Sequence, residues 1–431
     1  AERVNLALLA LQAEGYAMVM SGQQDASGQD KTWCERRLLA RIHRYSRERR
    51  RKAARPVAPA AYMRFLLNWH GFDEPAGELE QVLAQLEGWA APAAAWEQGL
   101  LASRCADYSP QRLDEQFLSG FVTWFRPGLN GHDAQQVIAA TPIAIVPRSN
   151  SMIWQRDGNG ETDKLGGVAG RIWQVLQESG AMFTMDLVSR TGLIQTQLEQ
   201  GLAELVARGL VTADAFSPLR WLLRPEAEKR RKQKALARRR GGQGAAMLGR
   251  WSTTQTAAGT APEDKGLFSE QARLAVVCEA LLRRYGVVFR ALLERESLIP
   301  PWRHLLRYLR RMEDRGEVHG GRFVDGFSGE QFALPEAVGL LRRRGSAAEQ
   351  RRINVISAAD PLNLGGIITA GVKTAARPGS RILLLDGVPA ARIQGDELVL
   401  VKPDTLGSVE AERYLRVVRG LRTVRAGLAG D

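Results

Sequence analysis

The chain has 431 residues, a length that ordinary domain sizes divide into about three domains. Hydrophobic residues make up 45% and charged residues 25%, as in folded globular proteins, and no apolar run reaches the roughly 20 residues of a membrane span. Cys34, Cys105 and Cys278 lie far apart and outside CxxC pairs, which argues against a disulfide framework and a zinc site. These features predict a cytoplasmic protein without a membrane partner.

The positive charge is concentrated in two segments. The net charge is +13, and residues 35–55 carry ten Lys or Arg against two Glu, while residues 226–240 carry eight against two. Cation density of this kind suits a phosphate backbone, because neutralised phosphates release their counterions. The distribution predicts nucleic-acid binding, with solvated linkers and helix faces as the alternative.

Taken in chain order, four segments repeat one pattern. Each has leucine-rich helical periodicity, then a glycine at the position where a helix ends in a left-handed residue, then an apolar strand. The closing glycines are Gly15, Gly120, Gly209 and Gly316. Further helical segments precede the last two, which is the element order of a winged helix. The chain also begins in mid-helix, so we expect it to be a piece of a longer protein.

The fold class that follows is α+β: tandem winged-helix modules followed by a small antiparallel β-barrel or sheet domain. Short alternating strands with the turn dipeptides Asp386-Gly387 and Gly395-Asp396 predict that last domain. The predicted domains are an N-terminally truncated winged helix (1–56), winged helices at 57–150 and 151–225, a basic flexible linker (226–264), a winged helix (265–345), and a β-barrel domain with a C-terminal helix (346–431).

The helix that ends at Gly316 is the strongest candidate for contact with nucleic acid. Its leucines form one apolar stripe, while several arginines fall on other faces and reach solvent. A hairpin should follow, with a first strand over 316–319, a turn at Gly320-Gly321 and a return strand from Arg322. An arginine-rich soluble surface is the alternative. The candidate nucleic-acid-binding residues are Trp302, Arg303, Arg307, Arg310, Arg311, Arg315, Arg36, Arg37, Arg41 and Arg44.

Motifs for ATP hydrolysis are missing from this sequence. It has no G-x-x-x-x-G-K-[ST] phosphate loop and no H-E-x-x-H. We therefore expect no ATPase activity, no cofactor and no metal in this chain.

Asp360 follows an apolar strand and could support removal of a base from its sugar, with a plain Asp-Pro turn as the alternative. Glu330 and Gln331 precede a helix, where a capping role is expected.

The sequence resembles the C-terminal region of the bacterial large helicase-related proteins (Lhr). The segments that carry the resemblance include "WCERRLLARIHRYS", "SGFVTWFRP", "GRFVDGFSGEQFALPEAV" and "LLLDGVPAARIQGDELVL". The resemblance implies an accessory region of a superfamily 2 helicase that acts in DNA repair, with single-stranded DNA or an RNA:DNA hybrid as partner. It further implies a helicase core elsewhere in the same polypeptide, which would use ATP and Mg, and a homo-oligomer.

A second resemblance gives two alternative functions. The last two modules are similar to winged-helix DNA glycosylases, whose C-terminal segment carries Asp-Pro-Leu, as at Asp360. This implies removal of uracil or damaged bases by a carboxylate, with Asp360 first and Asp386, Asp396 or Asp431 as substitutes. A purely structural oligomerisation scaffold is the other alternative. Its partner-facing stripe would be Trp33, Leu38, Leu39 and Ile42.

Overall fold

The protein is described by a computed structural model. The described residues are 2–20, 32–72, 77–128, 136–155, 165–238, 249–254, 270–345, 353–371, 373–394, 397–401 and 425–426. Within these ranges no helix is both long and apolar enough to cross a bilayer.

The described elements alternate helices with short strands. The helices are α1 Glu2–Ala13, α2 Arg36–Ala53, α3 Pro59–Trp69, α4 Leu79–Gln85, α5 Pro110–Leu118, α6 Ser151–Trp154, α7 Gly167–Ser179, α8 Thr184–Thr191, α9 Gln195–Ala207, α10 Ser217–Leu222, α11 Glu226–Arg238, α12 Glu270–Tyr285, α13 Trp302–Arg315 and α14 Pro335–Gly345. The strands are β1 Ala17–Met20, β2 Thr32–Glu35, β3 Ala90–Pro92, β4 Val122–Phe125, β5 Pro142–Pro147, β6 Met182–Phe183, β7 Val211–Ala213, β8 Arg250–Thr253, β9 Val287–Val288, β10 His319–Gly321, β11 Gln331–Ala333, β12 Ile353–Ser357, β13 Arg381–Leu385, β14 Val388–Gln394, β15 Glu397–Leu400 and β16 Arg425–Ala426.

Three units share one order of elements: helix, strand, helix, helix, strand, strand. In the second unit the helices α10 and α11 are inserted between the last two strands. In each unit the last strand lies between the other two, in the orders β3-β5-β4, β6-β8-β7 and β9-β11-β10. A π-helix at Trp96–Leu101 and a 3-10 helix at Arg290–Arg295 take the place of the second helix in the first and third units. We call these winged-helix units 1 (79–147), 2 (167–253) and 3 (270–333).

The four predicted closing glycines are confirmed. Gly15, Gly120, Gly209 and Gly316 have φ values of 76°, 78°, 72° and 79°. In this left-handed region a side chain would clash with the backbone, so glycine ends each helix with little strain.

The hairpin that follows α13 differs from the prediction. Gly320 and Gly321 lie inside β10, which pairs with β11 so that Gly320 is opposite Phe332. The loop between these strands, residues 322–330, is the wing. Gln331 holds it closed, because its side-chain oxygen accepts from the backbone N–H groups of Phe323 and Val324 at 2.8 Å. The capping role predicted for Gln331 is therefore wrong.

The predicted linker at 226–264 is also revised. Its first part is α11, the basic helix expected there, but its second part contains β8, the central strand of the unit 2 sheet. Trp251 of β8 is fully buried and meets Trp124 edge to face, with ring centroids 6.4 Å apart. A buried tryptophan inside a Gly- and Thr-rich segment is a tertiary contact that local composition does not reveal.

The C-terminal sheet has the order β12-β13-β14-β15-β16. Among the described strands β12 does not pair with β16, so the sheet is open and the predicted closed barrel is wrong. The Asp386-Gly387 turn between β13 and β14 is confirmed. The predicted C-terminal helix, Asp396 and Asp431 lie outside the described residues.

Helix α3 packs on unit 3 as well as on unit 1. The Tyr62 hydroxyl lies 2.9 Å from the carbonyl oxygen of Val287, and the Trp69 ring N–H donates to the carbonyl of Arg283 at 2.8 Å. One hydrophobic core joins units 1 and 2, and a second joins α3, unit 3, the C-terminal sheet and part of the unit 1 sheet, including Phe125, Ala144 and Val146. The segment 57–150 predicted as one domain is therefore shared between the two cores.

Candidate nucleic-acid interface

Helix α13 separates an apolar face from a cationic one. Leu305, Leu309 and Met312 are buried in the core of unit 3, because they recur at helical spacing. Arg303, Arg307 and Arg311 are exposed at successive turns of the same helix. Within the described part of the chain no carboxylate forms an ion pair with any of these three. The cationic face of α13 is defined here as Arg303, Arg307 and Arg311.

A pocket of about 190 Å³ lies between α13 and α12. Arg307 and Arg311 line it together with Tyr308, over an apolar floor formed by Leu274. His304 and Glu270 also line the pocket and pair with each other, since His304 Nδ1 lies 3.0 Å from a carboxylate oxygen of Glu270. Two guanidinium groups in one concavity without a carboxylate partner of their own are suited to bind an oxyanion such as a phosphate.

Two other arginines of α13 are already paired. Arg310 Nε donates to Glu330 at 2.8 Å, and Arg315 donates to Glu317 at 2.9 Å. The hydrogen bond from Arg315 lowers the pKa of the Glu317 carboxyl. The sixth candidate on this helix, Trp302, is half-buried and packs against the core. Arg310 and Arg315 are neutralised by their carboxylate partners and Trp302 packs on the core, so these positions offer less free positive charge than the cationic face.

Helix α2 carries the second predicted group. Arg36, Arg37, Arg41 and Arg44 are all exposed along this helix. Leu38 and Ile42, two members of the predicted partner-facing stripe, are 43% and 45% exposed. The other two members, Trp33 and Leu39, are half-buried.

The two groups of arginines are brought together through residues that were not predicted. Arg47 of α2 pairs with Asp314, and Arg51 pairs with Glu313 and Glu330. Their positions within the basic segment 35–55 were the only sequence signal. The acidic partners lie more than 250 residues away, so no local pattern could identify them.

Asp360 lies away from the solvent-exposed surface. Both it and Arg104 are 0% exposed, and Arg104 Nη1 and Nη2 donate to the two carboxylate oxygens at 2.8 and 3.0 Å. The backbone N–H of Leu362 also donates to this carboxylate, at 2.9 Å. Removing one partner of such a buried pair leaves an uncompensated charge, so the geometry gives Asp360 a structural role. The catalytic role of Asp360 stays a prediction, for a carboxylate that is fully buried and paired in this structure.

His70 extends the buried pair towards unit 3. Arg104 Nε donates to His70 Nδ1 at 3.1 Å, and His70 Nε2 lies 2.8 Å from the carbonyl oxygen of Arg284. Burial, followed by the charge of Arg104, lowers the pKa of His70 well below its usual value. The imidazole is therefore neutral, accepts at Nδ1 and donates from Nε2. Asp360, Arg104 and His70 together connect the C-terminal segment, unit 1 and α3.

Comparisons with known proteins identify similar domains for units 1 and 3. Residues 57–142 match the family model of the third winged-helix domain of the large helicase-related protein, and residues 268–353 match that of the fourth. The chain is similar to the large helicase-related proteins over these two segments. The prediction of winged helices is confirmed for these two segments. Because the matched models are the third and fourth winged-helix domains, the match is consistent with the predicted C-terminal region of Lhr.

Two full-length relatives support this relationship. An Escherichia coli K12 protein named "Lhr helicase/uracil glycosylase" is 28% identical over 405 residues, which cover 82% of this chain and 24% of that protein. A Mycolicibacterium smegmatis protein named "Lhr helicase/ probable uracil glycosylase" is 29% identical over 402 residues, covering 86% of this chain and 25% of the relative. The chain thus spans about a quarter of the length of these Lhr proteins.

Proposed function

We propose that this chain is a nucleic-acid-binding accessory region of an Lhr-type helicase, without an ATPase motor of its own. The observation that carries the proposal is the cationic face of α13, whose three guanidinium groups are exposed and have no carboxylate partner among the described residues. Both relatives are named as helicases, which supports the proposal that this chain is part of a helicase.

The spacing of the cationic face suits a phosphate backbone. Residues four apart on a helix are separated by about 6 Å along its axis, so the three arginines span about 12 Å. A single strand in duplex geometry advances about 3.4 Å per phosphate, so the face can follow three or four phosphates. Contacts of this kind position a protein on nucleic acid without reading its sequence.

The narrower functional predictions remain proposals. DNA, either single-stranded or in an RNA:DNA hybrid, is the proposed partner, and ATP with Mg would act at a helicase core outside this chain. A homo-oligomer, a role in DNA repair and a cytoplasmic location are proposals as well. Uracil excision is the alternative that the glycosylase resemblance implies, and the names of both relatives include uracil glycosylase. The buried, doubly paired carboxylate of Asp360 does not favour it here.

The test measures how nucleic-acid affinity depends on salt. Replacing Arg303, Arg307 and Arg311 with glutamine should reduce the slope of log affinity against log salt by about two to three, because each lost phosphate contact removes about 0.7 to 0.9. Fluorescence anisotropy with labelled single-stranded DNA gives the slope.

The matched control removes three arginines from units 1 and 2. Arg112, Arg190 and Arg250 each contact a polar neighbour, so their replacement with glutamine changes net charge equally without touching α13. We expect this control to keep a slope close to that of the unmodified protein. Equal slopes for the α13 variant and the unmodified protein would contradict the proposal.

A further inference from the structure

The C-terminal end of α13 carries an acidic cluster beside the cationic face. Glu313 and Asp314 lie on the last turn of the helix, and Glu330 lies at the end of the wing. Asp314 follows Arg311 by three residues, which is less than one helical turn. Since charges interact over about 8 Å at physiological ionic strength, free carboxylates here would weaken attraction of a polyanion to the cationic face.

Helix α2 supplies the cations that meet this cluster. Arg51 Nε donates to Glu313 at 2.8 Å, and Arg51 Nη2 lies 3.1 Å from Glu330. The hydrogen bond with Glu313 is the main cause that raises the pKa of Arg51. Arg47 forms an ion pair with Asp314. The Glu313 side chain is only 5% exposed, so its charge cannot be screened well by water and depends on Arg51.

The contact is built into the backbone of unit 3. A Cβ on Gly320 would lie 2.4 Å from Glu313 Oε1 and 2.9 Å from Arg51 Nε, so only glycine leaves room for this pair. The segment after α2 is also bonded to the wing. Val57 N–H donates to the carbonyl of Phe323 at 2.8 Å, and Asp325 N–H donates to the carbonyl of Val57 at 2.9 Å. Helix α2 and the wing are thereby held together next to the end of α13.

We propose that Arg51 and Arg47 are positioning residues for nucleic-acid binding. They neutralise Glu313, Glu330 and Asp314, so that the cationic face meets the polyanion without an adjacent negative charge. Arg44 precedes Arg47 by three residues on α2, about one helical turn, so the basic surface continues from unit 3 onto α2. This inference rests on the proposed function of α13.

The test asks whether removing a carboxylate can replace an arginine. Arg51→Gln should lower affinity for single-stranded DNA about fivefold at low salt, as expected for an uncompensated charge near a phosphate site. Adding Glu313→Gln should restore affinity even though the ion pair is not rebuilt. The matched control adds Glu115→Gln, an exposed carboxylate on α5, which restores the same net charge at a distant place. That control should leave affinity low.

A second pair keeps the test valid if Arg51→Gln impairs folding. Arg47 and Asp314 are 35% and 58% exposed, so Arg47→Gln and the double variant Arg47→Gln with Asp314→Asn should both fold. We expect Arg47→Gln to lower the affinity for single-stranded DNA about twofold, and the double variant to recover that affinity. A purely structural role for the arginines would give a loss that the carboxylate substitutions do not reverse, and that result would overturn the inference.

The outcomes separate this inference from the function on which it rests. If glutamine at Arg303, Arg307 and Arg311 leaves binding unchanged, the proposed function fails. If that variant loses binding while Arg51→Gln and Arg47→Gln bind like the unmodified protein, the proposed function stands and the inference about α2 fails.

Discussion

Helices α9 and α13 occupy the same place in winged-helix units 2 and 3, and each buried residue of α13 corresponds to a buried residue of α9. Each helix ends at a left-handed glycine, Gly209 or Gly316. Counted back from that glycine, the buried side chains fall in the same register. The pairs are Leu198 with Leu305, Leu202 with Leu309, and Leu205 with Met312.

Three outward positions of the two helices carry different side chains. Where α13 has Arg303, Arg307 and Arg311, α9 has Thr196, Gln200 and Glu204. Glu204 forms an i,i+4 ion pair with Arg208. The buried register therefore maintains the fold, while three outward positions set the charge that each unit presents.

The groove beside each helix differs as well. Tyr308 lines the pocket between α12 and α13, and the corresponding residue of α9 is Gly201. A Cβ on Gly201 would lie 2.5 Å from Ile172 and 2.8 Å from Val168, so α9 packs closely on α7. In unit 3 the larger side chain accompanies a pocket. Gly201 thus allows α9 to pack closely on α7, whereas the corresponding Tyr308 lies beside a pocket between α12 and α13.

The largest expected effect comes from transferring the charge pattern. Thr196→Arg, Gln200→Arg and Glu204→Arg together should raise affinity for single-stranded DNA by about tenfold at low salt, because three new phosphate contacts become possible. Anisotropy at several salt concentrations measures it. Glu204→Gln alone serves as the control, since it removes the acidic charge without adding a cation. If the triple variant bound no better than this control, the exposed triad would not be the distinguishing feature.

A second prediction concerns the shared scaffold. Gly316→Ala should lower the free energy of unfolding by about 1 kcal/mol, because alanine is strained at positive φ. Gly209→Ala should cost more, since its Cβ would also lie 3.0 Å from the carbonyl oxygen of Arg126. Denaturant unfolding measures both. Gly339→Ala, inside α14 with no atom within 4 Å of the added Cβ, should be neutral or stabilising. Equal losses for Gly209 and Gly316 would contradict the prediction.

The smallest effect separates paired from unpaired arginines within α13. Arg310→Gln with Arg315→Gln should lower affinity by about twofold or less, because these side chains pair with Glu330 and Glu317. The double variant Arg307→Gln with Arg311→Gln removes the same charge and should lose several times more. Both are measured in one titration series. Similar losses would show that net charge alone governs binding.

Much of the local structure was predictable from the sequence. Helix-ending glycines, the apolar stripe of α13 and the Asp386-Gly387 turn each depend on residues close together in the chain. Among the candidate site residues, Arg303, Arg307 and Arg311 are exposed as expected for their face of the helix. The strand register after Gly316 was mispredicted because the pair Gly320-Gly321 is typical of turns, whereas here glycine makes room for Glu313 and Arg51.

Local sequence established the repeated units, the places where their helices end and the two basic segments, since periodicity and composition act over a few neighbouring residues. The partners of the charges depended on packing between distant parts of the chain. Arg51 meets Glu313 across 262 residues, and Arg104 meets Asp360 across 256. Such pairs form only after folding brings the elements together, so the same residue type can serve as a surface cation in one place and a buried contact in another.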